Sequence, residues 1–167
     1  MQQIKIQLAP LTQQAFKPFG DVIEIEGANH FPINQGTVER HNDLGTVEIG
    51  GDNGRPLISI VTCNNLSSLP YTLPLIERHP LGSQAFIPMD NTPIVVAVAE
   101  PTDSPQPEQI KAFISNGYQG VNYHSNIWHM PMLFLDKDQR MIVVDRGGEG
   151  NNCDEFPFPE YEIIITE

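Results

Sequence analysis

The sequence predicts an all-β domain, folded as a sandwich or a jelly-roll barrel with few short helices. Short apolar runs with the two-residue period of strands recur about every ten positions. The 15 prolines and 13 glycines lie between these runs and leave little room for helices. A length of 167 residues suits one domain with its own core, so residues 1–167 are predicted to form a single domain.

Alternation of apolar and polar residues predicts the individual strands. In chain order they are residues 4–8, 21–26, 46–51, 57–63, 71–77, 83–89, 93–100, 110–115, 132–136, 141–145 and 161–166. The turn sequence GGDNGR joins the third and fourth of these runs and predicts a hairpin between them. So many short strands in one chain favour a barrel, whose mouth is a common place for a small-molecule site.

Two segments could form helical turns. LTQQAF has Thr12 as its N-cap and Gly20 soon after its end, which predicts a short helix. PEQIKAF fits a helix or a strand. Residues 26–44 show no period and are predicted to be a long loop, a kind of segment that is often functional.

Charge and cysteine content exclude several classes of function. Nine Lys and Arg against 21 Asp and Glu give a net charge of −12, so nucleic acid and anionic membrane are poor partners. No apolar stretch approaches the roughly 18 residues of a spanning helix, and the N-terminus does not resemble a signal peptide. Cys63 and Cys153 are interpreted as reduced thiols of a cytoplasmic protein. Nucleotide-binding and serine-nucleophile motifs are absent.

The stretch IERHPLGSQAFIPM carries the first group of candidate site residues. On a strand, Glu77 and His79 share one face and Arg78 takes the other, while Gln84 begins the next strand. This set could bind a divalent metal or a polar substrate. The alternative is a charged strand end with a surface ion pair.

The stretch GVNYHSNIWHMP carries the second group. His124 and His129 lie five positions apart, so on one strand they would face opposite ways. They can share a pocket only if the chain bends at residues 125–126. Trp128 should then face away from His129. Alternatively, Tyr123 and Trp128 belong to the core and the histidines merely flank them.

Three further cations and one turn complete the candidates. Arg40 lies on the long loop, where it could close over an anion or remain solvated. Lys111 lies in an apolar strand and either binds a carboxylate inside or faces solvent. Asp145 and Arg146 enter the glycine-rich turn RGGEG and are interpreted as a structural pair, because no phosphate-loop ending follows.

Several long motifs together resemble one known family. ERHPLGSQAFIPM, FISNGYQGVNYHSNIWHMPM and VVDRGGEGNNCDE occur in this order, and LAPLTQQAFKPFGDVIE and INQGTVERHNDL are similar too. The resemblance covers residues 7 to 155 and identifies the chain as a member of the ureidoglycolate lyase family, formerly named ureidoglycolate hydrolase.

The resemblance implies a cupin fold, that is, a double-stranded β-helix or jelly roll, in a homodimer. It implies a carbon–nitrogen lyase that releases urea and glyoxylate from (S)-ureidoglycolate in allantoin breakdown, with a divalent metal, for which the family suggests nickel. Cupins often place H-x-H and a Glu in their first motif. Here those positions resemble Glu77-x-His79 and Gln84, while His129 matches the second-motif histidine and His124 is an addition.

These implications assign expected roles within the site. The catalytic residues are His124 and His129 with Glu77 or His79, the metal ligands are His79, His124 and His129, and the substrate-binding residues are Lys111, Arg78, Arg40, Gln84 and Tyr123. Three alternatives remain open. The chain could be a non-catalytic cupin that binds a small acid, a metal-dependent cupin enzyme acting on another small hydroxy acid or sugar, or a structural jelly roll with incidental histidines.

Overall fold

In a computed structural model that describes residues 1–167, the chain consists almost entirely of strands and turns, which confirms the all-β prediction. The strands are β1 (Gln2–Gln7), β2 (Ala9–Pro10), β3 (Gly20–Ile23), β4 (His30–Ile33), β5 (Val38–His41), β6 (Arg55–Thr62), β7 (Tyr71–Leu73), β8 (Leu75–Arg78), β9 (Gln84–Pro88), β10 (Val95–Ala99), β11 (Lys111–Ile114), β12 (Gly120–Tyr123), β13 (Trp128–His129), β14 (Arg140–Gly147), β15 (Asp154–Pro157) and β16 (Tyr161–Thr166). One α-helix, α1 (Gln13–Phe16), and 3₁₀ turns at Asn34–Gly36 and Pro107–Gln109 complete the structure.

Two large sheets face each other and form the predicted jelly-roll barrel of the cupin type. One sheet has the strand order β3-β12-β9-β14-β6, and the other has the order β15-β8-β13-β10-β11-β2. A third sheet, β1-β16-β7, covers the outer face of the six-stranded one. The six-stranded sheet is therefore the middle layer of three, and it forms one wall of the barrel.

Apolar side chains fill the spaces on both sides of this middle sheet. The barrel core takes 14 buried residues from both large sheets and from α1. A second core of 13 buried residues lies between the middle sheet and the third sheet. Strand β10 contributes to both cores, because Val96 and Val98 point into the barrel while Val95, Ala97 and Ala99 point outward. This explains its continuous apolar sequence, which is typical of a strand buried on both faces.

The predicted helix at LTQQAF is present and is capped as expected. Thr12 is extended, and its hydroxyl accepts a hydrogen bond from the Ala15 amide at 3.1 Å. The ambiguous segment PEQIKAF divides into a 3₁₀ turn at Pro107–Gln109 followed by strand β11. No helix of the structure has both the length and the apolar character needed to cross a membrane.

The predicted strand at 46–51 and its hairpin with β6 are wrong. Residues 46–51 contribute only an isolated bridge between Ile49 and Gly82, and β6 pairs with β14 instead. The backbone of this segment bonds to residues 81–83 instead. The Gly50 amide donates to the Leu81 carbonyl at 2.7 Å, and the Ser83 amide donates to the Glu48 carbonyl at 3.1 Å. Arg146 reinforces that arrangement by donating to the Gly50 carbonyl, so it does not form the predicted pair with Asp145.

Two other predictions along the chain need correction. Residues 132–136 form no strand, since Pro131 lacks the N–H that would extend the ladder of β13, although Leu133 still packs into the second core. Residues 26–44 are not wholly a loop, because β4 and β5 pair within them as a small hairpin.

Candidate active site inside the barrel

Four polar side chains meet at one end of the barrel and are called the interior cluster: Glu77, His79, Gln84 and His129. Strand β8 presents Glu77 to the interior, and His79 follows just beyond its end. Glu77 Oε1 lies 3.9 Å from His79 Nε2 and 3.6 Å from His129 Nε2. The ligand atoms of these three residues all lie within 4.8 Å of one another.

Backbone carbonyls orient both histidine rings of the cluster. His79 Nδ1 lies 2.7 Å from the Asn152 carbonyl, and His129 Nδ1 lies 3.0 Å from the Ile127 carbonyl. A carbonyl can only accept a hydrogen bond, so each Nδ1 carries the hydrogen. In the neutral rings each Nε2 therefore presents a lone pair to the cluster, as in metal-binding histidines that donate their other N–H to a carbonyl.

Gln84 adds an oxygen to this group of acceptors. Its Oε1 lies 3.2 Å from His79 Nε2, while its Nε2 donates to Asp145 at 3.2 Å. His129 Nε2 is buried and has no hydrogen-bond partner. While both imidazoles are neutral, the four side chains of the cluster thus direct lone pairs at one another with no hydrogen between them. Such a set fits a divalent cation.

Tyr123 forms an aromatic wall beside the cluster. Its ring stacks on His129 with centroids 4.2 Å apart and planes inclined by 9°. The Tyr123 hydroxyl is buried and has no partner within the protein. The site therefore holds two unpartnered polar atoms, the Tyr123 hydroxyl and His129 Nε2, that a ligand could satisfy.

Burial and charge shift several pKa values at the site. The adjacent His129, whose Nε2 lies 3.6 Å from Glu77 Oε1, lowers the pKa of Glu77, against the opposing effect of burial. Burial lowers the pKa of His129, and the nearby Glu77 carboxylate opposes this only in part. Burial, with the Glu77 charge, raises the pKa of Tyr123. These directions favour an ionised Glu77 beside a neutral His129.

The register of the middle sheet places Lys111 on the same face as the cluster. Glu77 is opposite His129, His129 is opposite Val98, and Val98 is opposite Lys111. Directly opposite residues of antiparallel strands project to the same side of the sheet. Two strand spacings separate Lys111 from His129, about 10 Å between their Cα atoms. The Lys111 ammonium lies 5.9 Å from the centre of the Phe19 ring, which belongs to the barrel core, so this exposed cation lies on the barrel side of the middle sheet.

Arg78 and Trp128 occupy the opposite face of the middle sheet, as strand alternation predicts. The Arg78 guanidinium carbon lies 4.6 Å from the centre of the Trp128 ring, and Arg78 Nε donates to Asp154 at 2.9 Å. Trp128 is buried in the second core, whereas the adjacent His129 points into the barrel. The structure therefore does not bring Arg78 to the interior cluster.

His124 also lies apart from the interior cluster, so the expected sharing of one pocket with His129 is not what the geometry shows. The chain does turn at residues 125–126, where Asn126 has a positive φ of 70°. Nevertheless His124 follows the outer face of β12, and its Nε2 lies 3.1 Å from Asp21 Oδ2. Asn122, on the same outer face, donates to the same Asp21 oxygen at 2.9 Å.

Arg40 lies on β5, is exposed, and donates from Nε to Asn42 at 2.8 Å. It lines a depression on the outer face of the five-stranded sheet and does not reach the interior cluster.

The sequence patterns did not identify Asp145 and Asn152 as contributors to the site. For Asp145 a signal existed, because strand alternation places it on the same face as the buried Met141 and Val143. Nothing local to the Asn152 sequence indicates that its carbonyl orients a histidine.

Comparison with known proteins adds a family to this geometry. A family model described as Ureidoglycolate lyase matches residues 3–166. A ureidoglycolate lyase from Pseudomonas entomophila (strain L48) is 48% identical over 160 residues, covering 96% of this chain and 95% of the relative. One from Pseudomonas paraeruginosa (strain DSM 24068 / PA7) is 47% identical over 167 residues, covering 100% and 97%. The crystal structure of a dTDP sugar isomerase from Desulfovibrio desulfuricans G20 has 13% identity and a TM-score of 0.47, over 84% of this chain and 86% of that one.

Proposed function

The chain belongs to the ureidoglycolate lyase family, and on this premise we propose that it eliminates urea from (S)-ureidoglycolate to give glyoxylate at the interior cluster. One observation supports this proposed site. Glu77, His79 and His129 converge within the barrel, and His129 Nε2 is buried without a partner. The protein is accordingly a carbon–nitrogen lyase.

The reaction itself defines what the site must supply. One carbon of ureidoglycolate carries a hydroxyl, a carboxylate and the ureido nitrogen. As the C–N bond breaks and the C=O bond forms, the hydroxyl loses a proton and the departing nitrogen gains one. No net proton is consumed, so one group can accept the proton and return it. Urea leaves poorly as an anion, which makes this transfer essential to the rate.

Glu77 is the proposed proton carrier. Its lowered pKa keeps the carboxylate ionised near neutral pH and ready to accept the hydroxyl proton. Its two oxygens face different neighbours, because Oε1 lies near the histidines and Oε2 lies 3.9 Å from the Cys153 thiol. Oε2 can therefore receive and return the proton while Oε1 stays with the histidines.

The interior cluster also fits a divalent metal, which we propose as the cofactor. Glu77, His79 and His129 would hold the ion, with Gln84 Oε1 as a neutral fourth ligand, and His124 is replaced by Glu77 in this proposed set. Imidazole and carboxylate ligands suit nickel, zinc and related ions, and the family resemblance favours nickel. When bound, such an ion supplies Lewis-acid polarisation of a substrate oxygen.

Two other side chains would hold the substrate. The Lys111 ammonium lies on the same face of the middle sheet as the interior cluster and would pair with the substrate carboxylate, a role that neither Arg78 nor Arg40 is placed to fill. The unpartnered Tyr123 hydroxyl would donate to the ureido group, since its raised pKa keeps it protonated. Stacking of Tyr123 on His129 would keep both rings in place.

A glyoxylate assay tests the proposal directly. Purified protein is incubated with (S)-ureidoglycolate as isolated, after chelator treatment, and after addition of Ni²⁺, Zn²⁺ or Mn²⁺. We expect glyoxylate release that is lost on chelation and restored by one of these ions. No glyoxylate under any condition would overturn the lyase assignment for this chain. Turnover that is unaffected by chelation would show that the reaction needs no metal, and Glu77 would then act without one.

A homodimer in the cytoplasm completes the proposed function. Ile58 and Ile60 lie on the outer face of the five-stranded sheet with 80% and 59% of their surface exposed, and they pair with Val144 and Ile142. A second copy would cover this apolar row. Light scattering of the purified protein, with Ile58→Lys as the disrupting variant, measures the mass. A monomeric wild type would contradict the dimer.

Both cysteines are free, which suits a reducing compartment such as the cytoplasm. Cell fractionation tests this location.

A further inference from the structure

Asp145 approaches the interior cluster, but the proposed reaction gives it no role. It follows Val144, which pairs with Ala85, so it lies beside Gln84 across the β14–β9 ladder. Strand alternation directs it into the barrel, below the buried Met141 and Val143. Its Oδ2 accepts a hydrogen bond from Gln84 Nε2 at 3.2 Å.

This contact determines which way the Gln84 amide points. An ionised carboxylate only accepts hydrogen bonds, so the NH₂ group of Gln84 must face Asp145. Gln84 Oε1 then faces His79 Nε2, 3.2 Å away. Because His79 donates its Nδ1–H to the Asn152 carbonyl at 2.7 Å, Nε2 of the neutral ring also presents a lone pair. The amide is thus held in the orientation that brings two acceptors together.

We propose that Asp145 is a positioning residue that holds the Gln84 amide with its oxygen towards the metal ligands. The inference rests on the metal site of the proposed function. If the amide turned over, its NH₂ group would donate to His79 Nε2 and occupy the lone pair that a metal needs. The cluster would then offer a metal fewer ligand atoms, because Gln84 would oppose binding instead of contributing to it.

The chemical difference between glutamine and glutamate makes this role separable from a general structural one. A glutamine presents one oxygen and one NH₂ group, so its orientation matters. A glutamate presents two equivalent oxygens, and it ligates equally well either way round. A positioning role for Asp145 must therefore disappear when residue 84 is changed to glutamate, whereas a role in packing or overall charge must persist.

The experiment is a double-mutant cycle with D145L and Q84E, with D145N as an intermediate variant. Each metal-free protein is titrated with Ni²⁺ by calorimetry, and its visible absorption is recorded after loading with Co²⁺. Partners of this kind typically change metal affinity about 10–100-fold. We expect D145L to weaken Ni²⁺ binding about tenfold and D145N to weaken it less, because an asparagine can present either its oxygen or its NH₂ group. In Q84E, adding D145L should cause no loss, and the Co²⁺ spectrum of the double variant should match that of Q84E.

The possible outcomes distinguish a failure of the Asp145 role from a failure of the proposed metal site. If the wild type binds Ni²⁺ but D145L weakens it equally in both backgrounds, Asp145 does not act through Gln84 and the inference is overturned. If D145L and D145N bind as tightly as the wild type, it is overturned as well. If the wild type binds no divalent ion at all, the metal site itself falls and the inference falls with it. Thermal melts of every variant identify any loss of folding, for which the milder D145N serves as the second test.

Discussion

His129 and His124 lie five positions apart in one stretch of sequence, yet they occupy opposite environments. His129 is 1% exposed, stacks on Tyr123, and leaves Nε2 without a partner inside the barrel. The His124 side chain is 38% exposed and is matched with Asp21 on the outer face of the neighbouring sheet. A buried nitrogen without a partner is costly unless a ligand satisfies it, whereas an exposed and partnered histidine needs none.

The comparison shows that histidine content alone does not identify a site. What distinguishes the interior histidines is that the protein has used their other nitrogen, through the Asn152 and Ile127 carbonyls, to present a free lone pair. His124 instead directs its Nε2 at a carboxylate that Asn122 also contacts. The buried Nε2 of His129 is therefore free for a ligand, whereas Nε2 of His124 already has a partner.

The largest contrast is expected between alanine variants of the two histidines. We expect His129→Ala to reduce kcat/KM for ureidoglycolate about 10²–10⁴-fold, because it removes a proposed metal ligand and the imidazole beside Glu77. We expect His124→Ala to stay within about threefold of wild type, since it loses only an exposed contact. Initial rates of glyoxylate release measure both. An equal loss in His124→Ala would reverse the assignment of the two faces.

The two cations on either side of the middle sheet offer the next contrast. Lys111→Met should reduce kcat/KM about 10–100-fold, mostly through KM, because it removes the proposed charge-assisted contact to the substrate carboxylate. Arg78→Met removes the same charge but should leave KM unchanged and lower the melting temperature, because Arg78 holds Asp154 and covers Trp128. Steady-state kinetics and thermal melts on both variants decide. A raised KM in Arg78→Met alone would show that the substrate lies on the other face.

A smaller effect is expected at Tyr123. Tyr123→Phe should lower kcat/KM about threefold to tenfold, the size of one neutral hydrogen bond. Its melting temperature should not fall, because the buried hydroxyl has no partner within the protein. Tyr161→Phe, in the second core, is the matched control and should leave the kinetics unchanged. Wild-type kinetics in Tyr123→Phe would exclude a contact between this hydroxyl and the ureido group.

The smallest effect is a pH dependence of stability in the metal-free protein. Burial lowers the pKa of His129 from its ordinary value of 6.5, so below that pH the unfolded chain takes up a proton that the folded one does not. This proton uptake leaves the free energy of unfolding unchanged above pH 6.5. It lowers the free energy of unfolding progressively as the pH falls from 6.5 towards the pKa of His129 in the folded protein. We expect the melting temperature to fall more between pH 7.5 and 5.5 in the wild type than in His129→Gln, with chelator present. Parallel curves for the two proteins would contradict a buried, neutral His129.

Local alternation in the sequence predicted much of this arrangement. It placed Glu77 and His79 together, Arg78 opposite them, and Trp128 away from His129. It also allowed His124 and His129 to share a pocket only if the chain bends at residues 125–126, and the chain turns there without bringing the two together. Alternation could not say whether that bend would bring His124 inward, because the answer depends on which sheet each side of the turn joins.

Contacts between distant parts of the chain supplied the rest. The Asn152 carbonyl that orients His79 is 73 residues away in sequence, and the Gln84 amide meets Asp145 at a separation of 61. No spacing rule reaches that far. The same holds for residues 46–51, whose strand-like pattern is real but whose backbone-to-backbone hydrogen bonds go to residues 81–83.

The thiol of Cys153 offers a way to observe the site at work. It is exposed and lies 3.9 Å from Glu77 Oε2, and the half-buried Cys63 is the only other cysteine. After Cys63→Ser, a single environment-sensitive fluorophore attached to Cys153 would stand beside the proposed proton carrier. Its emission should change as metal and substrate bind, which gives an optical signal for occupancy that is independent of turnover.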